Sequence, residues 1–267
     1  MLGDSGNVRV GGMENELFFF DPNHLLPLAK KHRTQYQQPP FPHIIIDDFL
    51  PDSIAQRIAS EFPLPSSPGF KKPDVGNVSA NKLGKMQESY LVGISPFLRL
   101  VLAEFNSMVF LDFLESVTSI QGLIPDPHFR GGAFHQILPG GHLSIHADFN
   151  VDKYRSLQRR INVLLYFNPD WQPEYGGNLE LWSEDMSRCC KSISPVLNRC
   201  VIFNTSSTSY HGHPDPLKCP ANMTRKSMAF YYYTALPEHA LIQPHSTLWQ
   251  SRPGETDRSH KDGGKRA

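Results

Sequence analysis

The sequence predicts a mainly β fold, a sandwich or roll of antiparallel strands with helices packed on its outside. From Gly122 onward, short runs of β-branched and aromatic residues recur between Gly, Pro, Asn and Asp. This spacing is typical of sandwiches and barrels. Before Gly122, apolar residues recur at spacings of three and four, which indicates helices. The predicted strands lie near residues 132–137, 142–148, 160–168, 178–182, 199–204 and 226–234.

Three helices are predicted upstream of these strands. Leucines that follow Pro22 indicate a short amphipathic helix between Asp21 and Gln38. Pro51 is placed to begin a second helix that reaches about Phe62. The longest helix is expected from Pro96 to about Thr118. Between the first two helices, the β-branched run at 44–46 predicts a strand.

The expected organisation is one domain with two short extensions. Residues 1–38 form an N-terminal lead-in with the first short helix, and residues 39–248 form a single domain whose β core occupies about 122–240. Within that domain, the polar stretch 69–87 lacks a hydrophobic period and is expected to be a surface loop. Residues 249–267 are charged and without apolar periodicity, so a disordered tail is expected.

Composition excludes several classes of function. Lys+Arg and Asp+Glu are balanced at 26 each, so no overall field favours nucleic acid or an anionic membrane. No apolar run approaches the length of a membrane span, and no signal peptide is evident. We therefore expect a cytoplasmic protein that binds neither nucleic acid nor membrane. Nothing in the sequence predicts its oligomeric state.

The segment around His146 carries the strongest chemical signal. In a strand, His146 and Asp148 stand two positions apart and would project from the same face. His211 or His213, far along the chain, offers a third ligand. Two histidines and one carboxylate on one face form the ligand set of non-haem Fe(II) oxygenases. Taken alone, a His-x-Asp pair in a strand is more often an ordinary hydrogen-bonded pair than a metal site.

A second group of polar residues suits a carboxylate ligand. A buried Arg225 could hold a carboxylate with two parallel hydrogen bonds, and Ser227, on the same strand face, could add a third. These residues would suit a dicarboxylate such as 2-oxoglutarate. The alternative for Arg225 is a surface ion pair on an edge strand. Tyr166, which alternation places on one face with Asn162, is a further candidate, with core packing as its alternative.

The order of these elements resembles a known family. A His-x-Asp pair, a strand, a distal histidine and an Arg-x-Ser pair follow one another between about Gly131 and Thr234. This order is similar to that of the 2-oxoglutarate and Fe(II)-dependent dioxygenase superfamily, in particular its prolyl 4-hydroxylase-like branch. The lead-in Pro-Phe-Pro-His-Ile-Ile-Ile-Asp-Asp-Phe-Leu also resembles that branch. The resemblance implies a double-stranded β-helix, or jelly-roll, core.

The resemblance also implies roles for individual residues. His211 is preferred over His213, since the family places its ligand first, before a small residue and a proline-containing turn. The gap from His211 to Arg225 is longer than in many prolyl hydroxylases because of the segment 214–224. By resemblance, His146, Asp148 and His211 are the catalytic iron ligands, and Arg225, Ser227 and Tyr166 bind 2-oxoglutarate.

The activity that the resemblance implies is hydroxylation of an unactivated C–H. The cofactors would be Fe(II), 2-oxoglutarate as co-substrate and O₂, with ascorbate as a candidate reductant and succinate and CO₂ as products. Substrates of such proteins include peptidyl proline, other residues and small molecules, so a peptide, protein or small-molecule partner is expected. Two alternatives stay open, namely a non-catalytic metal-binding β-roll protein and a zinc hydrolase that activates water.

Overall fold

The structure is a computed structural model that describes residues 18–70, 82–85, 91, 93–236 and 242–255. Two antiparallel sheets face each other across a cavity, which side chains from both sheets line. The helices pack against the outer face of the larger sheet. The predicted fold class, mainly β with flanking helices, is confirmed.

The helices begin where a proline or a capping side chain favours them. In the first, Asp21 accepts a hydrogen bond from the Asn23 N–H at 2.8 Å, and Pro22 occupies the first turn. Ser95 caps the third helix by accepting from the Leu98 N–H. The described helices are α1 (Pro22–His32), α2 (Asp52–Glu61), α3 (Pro96–Glu104) and α4 (Met108–Thr118).

The prediction of one helix over Pro96–Thr118 was wrong, because two helices occupy this range. The backbone of Ser107 is extended between α3 and α4, and its hydroxyl accepts from the Phe110 N–H at 3.3 Å. This cap satisfies a donor that would otherwise be unpaired at the start of α4. The apolar spacing continues through the break, so the hydrophobic pattern alone predicted continuity.

The strands form a larger and a smaller sheet. The larger has the order β1-β10-β7-β12-β4-β2, with β3 beside β12 and β6 beside β7, and the smaller has the order β13-β5-β11-β8-β9. The bounds are β1 His43–Ile46, β2 Lys82–Lys85, β3 Ile124–Pro125, β4 Ala133–Ile137, β5 Leu143–Ala147, β6 Val151–Asp152, β7 Leu157–Tyr166, β8 Leu179–Trp182, β9 Cys189–Ile193, β10 Cys200–Asn204, β11 His211–His213, β12 Arg225–Ala235 and β13 Leu248–Trp249.

All six predicted core strands are present. Among the strands that were not predicted, β11 lies inside the smaller sheet between β5 and β8, whereas β2 and β13 lie at sheet edges. The stretch 69–87, predicted as a loop, contributes β2, which pairs with β4; residues 71–81 and 86–87 lie outside the described residues. The expected tail begins with β13 and continues along β5, where the Gln250 N–H donates to the Ile145 carbonyl at 2.8 Å. Backbone pairing at an edge needs no side-chain pattern, which explains why these strands escaped prediction. Residues 1–17 of the lead-in and 256–267 of the tail lie outside the described residues.

Alternation on β7 separates a helix-facing side from a cavity-facing side. Ile161, Val163 and Leu165 are fully buried in the core that the helices cover. Asn162 and Tyr166 instead line the cavity between the sheets. One strand therefore supplies both the main core and a wall of the cavity.

Aromatic rings join the helices to the larger sheet. Phe105 at the end of α3 stacks on Phe230 of β12 with ring centroids 4.0 Å apart, and it contacts Phe110 edge-on at 4.9 Å. Within the described residues, no helix is both long and apolar enough to cross a bilayer. The ring contacts and the shared core show that the helices cover the larger sheet.

Replacing Phe105 with Ala is expected to lower the free energy of unfolding by about 3–5 kcal/mol, because the ring is fully buried and its loss leaves a cavity. Urea denaturation followed by circular dichroism measures the change. Met108→Ala is the control, since Met108 is 73% exposed and should change stability by less than about 0.5 kcal/mol. Equal losses for the two variants would contradict the packing described for Phe105.

Candidate metal centre

Three candidate ligands meet at the edge of the cavity. His146 lies on β5, Asp148 follows that strand directly, and His211 begins β11, where it pairs with His146 across the antiparallel ladder. One ligand atom from each residue lies within 4.8 Å of the others. The Nε2 atoms of His146 and His211 are 3.6 Å and 3.5 Å from the two carboxylate oxygens of Asp148. This set joins residues 65 positions apart in the sequence.

Both imidazoles are oriented by the backbone. Nδ1 of His146 is 2.9 Å from the Ser144 carbonyl, and Nδ1 of His211 is 2.9 Å from the Ser209 carbonyl. Since a carbonyl only accepts, each Nδ1 carries a proton, and in a neutral ring Nε2 then offers its lone pair to the shared point. Burial, with His146 adding to its effect, lowers the pKa of His211 to about 4. His211 is therefore neutral at physiological pH, as a metal ligand must be.

Asp148 is held by two polar side chains from β7. The Arg159 guanidinium lies 3.0 Å from one carboxylate oxygen, and Asn162 donates to the same oxygen at 2.7 Å. Burial opposes ionisation of Asp148, but Arg159 and the two imidazoles outweigh it and hold the pKa of the carboxyl well below its usual range. Asp148 is therefore an oriented carboxylate.

Arg159 is a site residue that sequence reasoning missed. A β-bulge interrupts the pairing of β7 with β12, where Tyr232 opposes Ile161 but Tyr233 opposes Arg159. The extra residue changes the alternation, so Arg159 reaches Asn162, with contacts of 2.7 and 3.0 Å, although their spacing is odd. A regular period of two would have placed Arg159 on the opposite face.

The donor set fits a divalent transition metal. Two imidazole nitrogens and one ionised carboxylate converge at one point, and this ligand set leaves coordination positions open. His213 is buried on β11 and lines the cavity, but among the described residues the converging group contains His211 instead. The converging group thus contains the histidine that the resemblance favoured, and its role as a metal ligand stays a prediction.

Arg225 lies on the opposite sheet and faces the same cavity. It is 5% exposed, its Nε donates to the Gly177 carbonyl at 2.7 Å, and its Nη2 donates to the Tyr166 hydroxyl at 3.4 Å. Among the residues that the structure describes, no carboxylate contacts this guanidinium. Burial lowers the pKa of Arg225 but leaves a guanidinium charged. The cavity therefore contains a buried cation whose compensating anion is not a described side chain.

Gly177 allows this position of Arg225. Its φ of +71° is favourable only for glycine, and an added Cβ would lie 2.5 Å from the Leu217 side chain and 3.0 Å from Cδ of Arg225. The contact between Gly177 and Arg225 depends on the tertiary fold, and no pattern in the sequence predicts it.

Ser227 and Tyr166 complete the wall around Arg225. Ser227 pairs with Tyr166 across β12 and β7, and both side chains line the cavity. Tyr166 is fully buried, and burial raises the pKa of its hydroxyl, with Arg225 acting in the opposite direction. The hydroxyl therefore stays protonated. All six residues predicted for the site line one cavity, with the converging group on the smaller sheet and the Arg225 group on the larger.

Trp249 on β13 packs against one of the candidate ligands. Its ring centroid lies 5.0 Å from that of His146, and the two residues are paired across β13 and β5. Sequence reasoning assigned this residue to the margin of a tail, because two residues of strand carry no periodic signal. Trp249 is a natural reporter of events at His146.

Co(II) is expected to quench the emission of Trp249 when it binds, because an open-shell ion at His146 lies next to the indole. A fluorescence titration of the metal-free protein measures the effect. Trp249→Phe should remove most of the quenching, whereas Trp171→Phe should retain it, since Trp171 packs in a separate cluster with Ile137 and Leu217. Unchanged quenching in Trp249→Phe would place the ion elsewhere.

Comparison with known proteins adds independent information. The sequence model of the 2OG-Fe(II) oxygenase superfamily matches residues 132–233. A segment of 79 residues is 32% identical to prolyl 3-hydroxylase OGFOD1 of Mus musculus and covers 28% of this chain. That segment spans 14% of the length of the mouse protein.

Solved structures are similar in fold. A prolyl 4-hydroxylase from Phytophthora capsici matches with a TM-score of 0.51 and 19% identity, over 82% of this chain and 67% of that chain. A prolyl hydroxylase from Trichoplax adhaerens, in complex with a hypoxia inducible factor peptide fragment, matches with a TM-score of 0.45 and 16% identity, over 79% and 91% of the chains. At 19% identity, the likeness to the Phytophthora capsici structure concerns the fold alone.

Proposed function

We propose that this protein is a hydroxylase dependent on Fe(II) and 2-oxoglutarate, because the model of the 2OG-Fe(II) oxygenase superfamily matches residues 132–233 and the motifs resemble its prolyl hydroxylase-like branch. The reaction inserts one oxygen atom of O₂ into an unactivated C–H bond of a substrate. The second oxygen atom enters succinate as 2-oxoglutarate loses CO₂. The substrate class that we favour is a peptidyl residue, with proline the first candidate and a small molecule the second.

One observation carries this proposal. A buried guanidinium without a described carboxylate partner faces the same cavity as two imidazoles and an ionised carboxylate. A buried charge is costly unless it is paired, so the cavity is suited to a ligand that brings an anion to Arg225. A dicarboxylate that carries a keto acid at its other end would satisfy Arg225 and reach the metal position together.

The residues of the chain bind and orient, and the bound groups supply the chemistry. Fe(II) with 2-oxoglutarate supplies activation of O₂ and oxidation of the C–H bond, and ascorbate is a candidate reductant that keeps the iron ferrous. His146, Asp148 and His211 would hold the metal through the atoms that converge. Arg159 and Asn162 fix the carboxylate of Asp148, so that its orientation does not depend on the metal alone.

The other end of the cavity would hold the distal carboxylate of 2-oxoglutarate. Arg225 provides the charge, and the hydroxyls of Ser227 and Tyr166 can donate further hydrogen bonds. Leu164 and Leu179 line the wall beside them. Apolar neighbours exclude water and strengthen each ionic contact inside the cavity.

A zinc hydrolase and a non-catalytic metal-binding β-roll are the alternatives, and Arg225 separates them from the proposal. Among the described residues that line the cavity, Asp148 is the one carboxylate, and as a candidate ligand it is not available as the base of a hydrolase. Neither alternative uses a buried guanidinium in the cavity.

Arg225→Met is expected to raise the KM for 2-oxoglutarate by roughly 100-fold, because loss of one partner of a buried ion pair costs about 2–5 kcal/mol. Arg225→Lys should recover part of this loss, since a lysine keeps the charge without the planar pair of donors. Succinate formation at varied 2-oxoglutarate measures both effects. Arg199→Met is the matched control, because Arg199 pairs with Asp47 outside the cavity and its loss should leave the KM unchanged.

Anaerobic addition of Fe(II) and 2-oxoglutarate is expected to produce a weak visible charge-transfer band, which a zinc enzyme cannot show. Asp148→Ala should abolish both this band and succinate formation while the far-UV circular dichroism stays native. Retention of the band in Asp148→Ala would exclude Asp148 as a ligand. A succinate-release screen across peptides, amino acids and small metabolites with the iron-loaded protein then identifies the substrate class.

A further inference from the structure

A surface groove lies beside the candidate metal centre. The hairpin that joins β6 to β7 forms one side of it, and the segment before β4 forms the other. Its floor includes Phe149 and Val151, and its rim carries polar and charged residues. The groove residues are Arg130, Gly131, Phe149, Val151, Asp152, Lys153, Tyr154, His245 and Ser246.

The groove and the cavity share a wall. The Arg159 guanidinium lies between two rings, 4.6 Å from the ring centroid of Phe149 and 3.6 Å from that of Tyr231. Phe149 lines the groove, whereas Tyr231 lines the cavity. The Tyr231 hydroxyl donates to the Gly131 carbonyl at 2.7 Å, which joins the cavity to the other side of the groove. A chain bound in the groove would therefore lie next to Asp148.

Around the groove, the acidic side chains are buried, whereas two basic side chains are exposed. Asp126 and Asp152 are buried, and one guanidinium, that of Arg155, contacts both at 2.9 Å and 2.6 Å. Arg130 and Lys153 are exposed on the rim. The Arg130 backbone N–H donates to Asp126 at 2.7 Å, but within the described residues neither side chain forms an ion pair with a carboxylate. The accessible charge of the rim is therefore positive, although the whole chain is balanced.

An exposed aromatic ring accompanies these cations. Tyr154 is 84% exposed, and the Arg130 guanidinium lies 4.5 Å above its ring centroid. A large apolar ring left in water, held by a cation and next to a groove, is typical of an interaction surface. Two cations with one aromatic ring suit a short contact with an acidic and apolar segment. A nucleic-acid groove would need a longer basic track.

We propose that this groove binds an acidic polypeptide segment that presents the residue to be oxidised. The inference rests on the proposed function and deepens it by locating the surface that binds the substrate and by assigning its preference for acidic residues. Carboxylates of the segment contact Arg130 and Lys153, and an apolar or prolyl residue packs on Tyr154 and Phe149. The next residues of the segment then reach the cavity beside Tyr231.

Two labelled peptides of equal length test the charge preference. Both repeat a leucyl-prolyl pair, and the third residue of each repeat is glutamate in one peptide and lysine in the other. Fluorescence anisotropy with the wild-type chain should show tighter binding of the glutamate peptide, and added salt should weaken this preference. Equal affinities, or tighter binding of the lysine peptide, would overturn the proposal. Tighter binding of a single-stranded RNA of mixed sequence would overturn it as well.

Substitutions on the rim test whether the peptide binds in the groove. Arg130→Glu and Lys153→Glu should each lower the affinity for the glutamate peptide by about fivefold or more. Lys30→Glu is the matched control, since Lys30 is an exposed lysine on α1, which packs against α4. Tyr154→Ala should lower the affinity for both peptides, whereas Tyr154→Phe should bind both peptides as tightly as the wild type does. A preference that survives both charge reversals contradicts the assignment to this groove.

The same variants separate this inference from the proposed function. Peptide binding is measured without iron or 2-oxoglutarate, and succinate formation is measured separately. Succinate formation without the peptide preference would refute the groove and leave the hydroxylase intact. A peptide preference that depends on Arg130 and Lys153, in a protein that forms no succinate, would support the groove and refute the hydroxylase.

Discussion

The ion pair between Arg159 and Asp148 joins the two sheets at the point where the chemistry is expected. Arg159 belongs to β7 of the larger sheet, and Asp148 follows β5 of the smaller sheet. Both charges are removed from bulk water, so each depends on the other, and loss of one partner of such a pair typically costs about 3–5 kcal/mol. The same guanidinium packs between Phe149 and Tyr231. The contact between Arg159 and Asp148 therefore contributes to the candidate metal centre, to the packing of the two sheets and to the wall of the surface groove.

In the larger sheet, alternation along each strand places packing residues on the helix side and polar residues of the candidate site on the cavity side. On β12, Phe230 and Tyr232 face the helices and close the aromatic core, whereas Ser227 and Tyr231 face the cavity. Residues on the helix side can therefore be optimised for packing without disturbance of the polar side. The smaller sheet contributes candidate ligands, with Trp249 packed beside them.

Much of the fold and most of the site could be predicted from sequence because both depend on local periods. His146 and Asp148 lie two positions apart, as do Arg225 and Ser227, and this spacing alone places each pair on one face of an extended chain. The resemblance to the oxygenase superfamily supplied the choice of His211, and a family match over residues 132–233 supports that resemblance. The break between α3 and α4 was missed because the apolar spacing runs through it.

By itself, the sequence determined the six core strands, the flanking helices and the residue types suited to a metal and a dicarboxylate. Only the tertiary structure decided which distant groups meet. A bulge turned Arg159 toward Asp148, the backbone at Gly177 made room for Arg225, and edge pairing brought Trp249 to His146. The physical reason is that side-chain alternation is encoded in neighbouring residues, whereas bulges, close approaches and edge strands arise from pairing between segments that the sequence does not place side by side.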